Sequence, residues 1–174
     1  MNIIDPTAMV LATATRTGKP SSRVVLLKKV DVEGFCFFTN YDSRKGIQLR
    51  QNPFVALTFY WAQAERQVRI EGRVSKTDRA VSDQYFGERS IESQISAIIS
   101  PQSQPIPDRQ YLQDSFDQIL LVNKRKPLKR PANWGGYVVK PVLIEFWQGR
   151  TNRLHDRTFY RLKGKDWILE QLAP

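Results

Sequence analysis

The sequence predicts an α+β fold: a mainly antiparallel β-sheet curled toward a barrel, with one helical insertion. Three observations predict it. Short β-compatible runs bounded by turn residues fill the chain up to Lys76 and return after Trp134. Between them lie segments whose apolar residues recur at helical spacing. Strands and helices do not alternate along the chain, as a parallel βαβ sheet would require. A chain of 174 residues suits a single domain over 1–174 and buries roughly 70% of its unfolded surface, so no disulfide or metal staple is needed.

The elements follow in order. Ala8 to Thr15 is apolar and ends at the turn Thr17-Gly18-Lys19-Pro20. Ser22 to Val30 is next, and Asp31 to Gly34 turns the chain into Phe35 to Thr39. These three strands read as an antiparallel meander. Asp42-Ser43 caps a short helix from Arg44 to Gln51, which Asn52-Pro53 stops. Phe54 to Trp61 and Gln67 to Lys76 are two more strands. Thr77 is a cap for a helix to Phe86 that Gly87 interrupts. Ser90 caps a second, with Ile91, Ile95, Ile98 and Ile99 on its apolar side. Pro101, Pro105 and Pro107 make a loop, and Asp108 to Val122 is a third helix. The helical insertion therefore covers 77–123. Strands return at Gly136–Val139, Val142–Gln148, Thr158–Leu162 and Trp167–Leu172, within a C-terminal segment over 134–174.

The net charge is +10, from 27 Lys+Arg against 17 Asp+Glu, which favours anionic partners. Nucleic acid is one class and phosphorylated small molecules are another. The densest basic cluster, Lys124-Arg125-Lys126 with Lys129-Arg130, sits among prolines and suits a solvated loop better than a polyanion patch. Cys36 is the only cysteine, so no internal disulfide forms, and a reducing cytoplasmic setting is the simplest account. No apolar run approaches the ~20 residues of a membrane span, and the N-terminus lacks a signal-peptide pattern. One His and one Cys cannot build the usual zinc site. Dinucleotide, Walker and nucleophile-elbow motifs are absent, so an enzyme built this way needs a cofactor for hard chemistry.

Four groupings carry chemistry. As a strand, Arg153-Leu154-His155-Asp156-Arg157 points Arg153, His155 and Arg157 to one face. Two guanidiniums and an imidazole together suit an anionic ligand, but on spacing alone the solvated face of a strand is the commoner setting. Ser43-Arg44-Lys45 puts two cations at a helix start, against the helix dipole unless an anion binds there. Tyr85, Arg89 and Ser93, spaced by four, would share a helix face that suits a phosphate if Gly87 did not break the helix. Arg23 and Lys28 bracket an apolar run and fall on opposite faces of a regular strand. Either a bulge intervenes or they serve different ligands.

These segments together resemble the pyridoxamine 5'-phosphate oxidase (pyridoxine 5'-phosphate oxidase) family. The resemblance runs in order through Asp5-Pro6-Thr7, Arg23 to Lys28, Phe38-Thr39-Asn40, Ser43-Arg44-Lys45 and Glu65-Arg66-Gln67. It continues through Tyr85-Phe86, Arg89, Ser93-Gln94, Gln102-Ser103, Trp134-Gly135-Gly136, Glu145 to Gly149, Arg153 to Arg157 and Leu172-Ala173-Pro174. It implies an FMN-binding split β-barrel that works as a homodimer, with FMN held between subunits. It implies that Arg23, Val24, Val25, Leu26, Leu27, Lys28, Phe38, Thr39, Arg44, Lys45, Gln67, Gln102, Ser103, Trp147 and Arg157 hold FMN. Lys28, Tyr85, Arg89 and Ser93 would take the substrate phosphate, with Arg153 and His155 as catalytic residues over the pyridine ring. The implied reaction oxidises pyridoxamine or pyridoxine 5'-phosphate to pyridoxal 5'-phosphate, with O2 reduced to H2O2. Two departures stand out. The chain begins four residues before Asp5, where family members carry a longer leader that closes over substrate. Ile98 and Gln104 replace the family's Trp and Ser.

Overall fold

The computed structural model describes residues 4–123 and 126–174. Among the described residues nine strands form one sheet: β1 Ala8–Ala14, β2 Pro20–Leu26, β3 Lys29–Asp31, β4 Gly34–Asn40, β5 Phe54–Trp61, β6 Arg66–Lys76, β7 Trp134–Gln148, β8 Asp156–Lys163 and β9 Asp166–Gln171. Their order is β2-β1-β5-β6-β7-β4-β3, with β8 on β7 and β9 on β8. The pairs with a described register, β1 with β2 and β5, β3 with β4, β5 with β6, β7 with β8 and β8 with β9, are all antiparallel. Four α-helices stand among the described residues: α1 Arg44–Gln51, α2 Arg79–Glu88, α3 Ile91–Ile99 and α4 Arg109–Asn123. By contact the chain divides into two compact units. One comprises Met1–Phe37, Gln48–Ser75 and Val138–Pro174, the other Phe38–Ile47 and Lys76–Tyr137.

In the first unit, strand alternation builds the core. Leu11, Leu57 and Ile70 are direct cross-strand partners on β1, β5 and β6, and all three are fully buried. Burying each such side chain is worth about 1.5–3 kcal/mol, so this row anchors three strands. Gly34 begins β4 at φ +126°, and a Cβ there would stand 2.1 Å from the Val139 carbonyl oxygen on β7. Only glycine permits that approach. In the second unit, Phe86 and Ile95 are buried on α2 and α3, and Trp134 and Tyr137 on β7.

Several sequence expectations are corrected. Ser22 to Val30 is not one strand. Leu27 N–H donates to Thr7 while Lys28 N–H donates to Cys36, so the chain changes partner between them and becomes β2 and β3. The meander fails for the same reason, since β2 and β3 lie at opposite ends of the sheet order. Gly87 does not interrupt α2, which runs to Glu88. One glycine costs a helix only about 1 kcal/mol. Asp78, not Thr77, precedes α2. The Thr77 N–H donates to Gly136 and its hydroxyl pairs with Ser82. The two expected strands around Lys140-Pro141 are one, β7, because proline's fixed φ suits an extended chain and removes only one N–H donor. The caps at Ser43 and Ser90 form as expected. Ser43 Oγ accepts from Gly46 N–H and Ser90 Oγ from Ser93 N–H.

Candidate active site

The start of α1 gathers the first polar cluster of the second unit. Ser43 is fully buried and caps the helix, which points Lys45 inward and leaves Arg44 exposed. The Lys45 ammonium donates to Gln102 Oε1 at 2.7 Å, Thr39 Oγ1 at 3.0 Å and Ser43 Oγ at 3.4 Å. Thr39 also donates to Gln102. A buried ammonium held by neutral oxygens at a helix N-terminus, with no acidic residue in the first turn, presents positive potential. Beside Gln102, Ser103 is exposed and sits at φ +71°, a left-handed conformation that costs a non-glycine residue energy.

The second cluster of this unit is aromatic and cationic. Phe38 stacks on Tyr85 with ring centroids 3.9 Å apart, and both lie nearly parallel to Trp134. The Arg89 guanidinium sits 4.7 Å over the Trp134 ring. Its Nη1 is buried with no hydrogen-bond partner among the described residues, and burial pulls the Arg89 pKa below the usual value. A cavity of about 450 Å³ opens there, lined by Arg89, Asn40, Ser100, Gln102, Arg109 and Trp134 among others. Tyr85 lies on α2, Arg89 caps its C-terminus and Ser93 lies on α3, so the three do not share one helix as their spacing suggested. The break falls at Arg89-Ser90, where the chain becomes extended, rather than at Gly87.

In the first unit, Arg23 donates to Thr13 Oγ1 at 2.6 Å, Ser21 Oγ at 2.7 Å and the Leu11 carbonyl at 3.2 Å. Along the same segment Val24, Leu26 and Lys28 are exposed, while Val25 and Leu27 are half-buried. Gln67 and Trp147 line one groove of about 460 Å³, together with Trp61, Arg66, Gln148 and Arg150. Gln148 ties β7 to the turn before β6 by donating to the carbonyls of Ala64 and Glu65. Trp147 packs against His155 with centroids 4.8 Å apart, and His155 Nδ1 accepts from Arg150 N–H at 3.1 Å.

The alternation expected over Arg153 to Arg157 does not form. Thr151–Arg153 is a 3-10 turn, and β8 begins only at Asp156. Arg150 pairs with Asp156 across this loop, which replaces strand pairing with a closed turn. Arg153 is exposed at φ +60°, while Arg157 turns to Glu145. Glu145 is the residue that sequence reasoning missed. It is 3% exposed and accepts from Arg157 Nε at 2.8 Å and Arg69 Nη1 at 3.1 Å. That contact raises the Arg157 pKa above its usual value. The sequence marks it only within the Glu145 to Gly149 stretch, without a role, because the three residues meet only across β6, β7 and β8.

Comparison with known proteins decides the family. Residues 2–123 match the family model described as pyridoxamine 5'-phosphate oxidase. Residues 134–174 match the pyridoxine 5'-phosphate oxidase C-terminal dimerisation region. The chain belongs to the pyridoxamine 5'-phosphate oxidase family. Among its relatives, a pyridoxine/pyridoxamine 5'-phosphate oxidase of Legionella pneumophila (strain Lens) is 54% identical over 170 residues, covering 98% of this chain and 79% of the relative. One of Cyanothece sp. is 52% identical over 172 residues, covering 99% and 81%. Among solved structures, PhzG from Burkholderia lata 383, in complex with tetrahydrophenazine-1-carboxylic acid, superposes with a TM-score of 0.93. It is 33% identical, over 97% of this chain and 83% of that one. A pyridoxamine 5'-phosphate oxidase-related, FMN binding protein of Nostoc punctiforme shares the fold at a TM-score of 0.80 and 17% identity, over 99% and 90%. The expected fold class, a split barrel of this oxidase family, is the one observed. Among the described residues, no helix is long and apolar enough to cross a membrane.

Proposed function

We propose that this chain is a pyridoxal 5'-phosphate synthase. It oxidises pyridoxamine or pyridoxine 5'-phosphate with FMN as cofactor and O2 as acceptor, yielding pyridoxal 5'-phosphate and H2O2. The amine substrate also takes up water and releases ammonia. The observation that carries the reading is Arg89 Nη1, a buried donor beside a cavity and without a partner among the described residues. Leaving such a group unsatisfied costs about 1–3 kcal/mol, which a substrate phosphate offsets.

The chain's residues fit FMN. The Lys45, Thr39 and Gln102 cluster at the start of α1 offers positive charge and donors to a phosphate, with Arg44 and Ser103 beside it. Arg23 to Lys28, Phe38, Gln67, Trp147 and Arg157 complete the proposed cofactor set. Glu145 holds Arg157 by Nε and leaves Nη2 without a partner among the described residues, available to an anion. Bound FMN supplies the two-electron chemistry that no side chain here provides. Lys28, Tyr85, Arg89 and Ser93 are the residues proposed for the substrate phosphate. Arg153 covers the pyridine ring, and His155 hydrogen-bonds the substrate. These residues would orient the substrate toward the cofactor, since transfer between two bound groups needs the reacting atoms about 3–3.5 Å apart.

We further infer a homodimer with FMN between subunits, one functional domain over 1–174 and a cytoplasmic setting. Within that domain 77–123 serves as a helical insertion and 134–174 as dimerisation and active-site strands. The exposed apolar residues Val24 and Leu26 on β2, beside Val10 on β1, support an interface.

A second reading, a related flavin oxidase acting on another substrate, is favoured by the likeness to PhzG. The test is H2O2 release by the FMN-supplied protein with pyridoxamine 5'-phosphate, pyridoxine 5'-phosphate and tetrahydrophenazine-1-carboxylic acid. Turnover of the phosphorylated pyridines supports the first reading. Turnover of the phenazine alone supports the second.

A further inference from the structure

The loop Gly149 to Asp156 is closed twice by one residue. Arg150 donates its backbone N–H to His155 Nδ1 at 3.1 Å, and its guanidinium meets Asp156 Oδ2 at 2.7 Å through both Nε and Nη2. Gly149 anchors the loop's start, donating its N–H to the Glu65 carbonyl at 2.8 Å. Inside the loop, Asn152 and Arg153 both sit in the left-handed region, at φ +58° and +60°. Consecutive left-handed residues cost roughly 1–2 kcal/mol each, and arginine has no local hydrogen bond to offset it. The loop holds this shape because its two ends are clasped.

An imidazole nitrogen that accepts a hydrogen bond carries no proton, so neutral His155 carries its proton on Nε2. Among the described residues Nε2 has no partner, and the Trp147 ring supports the imidazole at 4.8 Å. We propose that Arg150 is a positioning residue: its guanidinium, clasped to Asp156, holds its backbone N–H against His155 Nδ1, which fixes the Nε2–H tautomer, and holds the loop that carries Arg153. His155 then offers the substrate a hydrogen-bond donor, not a base. This rests on the proposed reaction only in naming the group that meets Nε2–H, an oxygen or nitrogen acceptor of the pyridine substrate.

His155 is the chain's single histidine, so its signals need no assignment. The experiment is a long-range 1H–15N correlation on FMN-loaded protein labelled with 15N-histidine, for wild type, Arg150→Ala and Asp156→Asn, with steady-state kinetics on each. Wild type should show the Nε2–H pattern. Both variants should show a mixture of tautomers and a KM for pyridoxamine 5'-phosphate raised about two- to fivefold, the range an exposed ion pair commands. Arg150→Lys should recover part of the KM. An Nδ1–H pattern in wild type overturns the proposal, as do variants with wild-type tautomer and wild-type KM. If wild type shows Nε2–H yet does not turn over the phosphorylated pyridines, the reaction assignment fails while the positioning role stands.

Discussion

Glu145→Gln removes one charge from the most enclosed ion-pair cluster of the first unit. The carboxylate is 3% exposed and bound by Arg157 at 2.8 Å and Arg69 at 3.1 Å. Removing one partner of a buried pair costs about 3–5 kcal/mol, because the other charge stays desolvated. Solvent returns part of this here. Arg69 keeps Glu71 at 3.6 Å and is 42% exposed, whereas Arg157 is 25% exposed and retains only the Ala173 carbonyl. A loss of about 2 kcal/mol follows. For a domain of this size that is about 4–8 °C in Tm. The assay is thermal unfolding of the FMN-free protein followed by circular dichroism, wild type against variant, at neutral pH. Glutamine keeps the volume, so no cavity confuses the result. A Tm within about 1 °C of wild type would refute the reasoning and show that desolvation cancels the attraction. A companion FMN titration should show weaker binding, since an untethered Arg157 samples more conformations.

Three further outcomes are expected. Arg153→Ala should retain FMN, read by absorbance after gel filtration, and lose most of kcat/KM; an unchanged kcat/KM removes Arg153 from the site. Arg89→Met should raise KM for pyridoxamine 5'-phosphate by at least about tenfold without lowering Tm, because it deletes a buried, unsatisfied donor; a lower Tm with normal KM assigns Arg89 to structure alone. Asp83 is held below the usual carboxylate range by its hydrogen bond from Arg130. Its contribution is therefore present above the unfolded carboxyl's pKa, about 3.9, and lost as pH falls through the lower folded value. Asp83→Asn should flatten that part of an acid unfolding curve, and an identical curve would count against the pair.

What was legible in the sequence was local. Ser43 and Ser90 announce helix starts because a hydroxyl cap acts within three residues, and both caps form. The buried row Leu11, Leu57 and Ile70 follows from alternation within each strand. The helical span and the cations at the start of α1 were visible for the same reason. What failed was decided by distant partners. Lys28 leaves β2 because Cys36, not Thr7, accepts its N–H. Pro141 stays inside β7, although proline ordinarily marks a strand's end. The Arg153 to Arg157 alternation imitates a strand, but Arg150 and Asp156 close it into a loop. Glu145 was invisible as a site residue because its two arginines come from different strands. The basic cluster at Lys124-Arg125-Lys126 lies partly outside the described residues.

The central claim is that this chain uses bound FMN to oxidise a phosphorylated pyridine. Its most direct test is the visible spectrum of the FMN-loaded protein, taken before and after pyridoxamine 5'-phosphate is added without oxygen. The account predicts that the flavin band bleaches and returns when air is admitted. A band that persists at saturating substrate, or protein that retains no FMN, would contradict it.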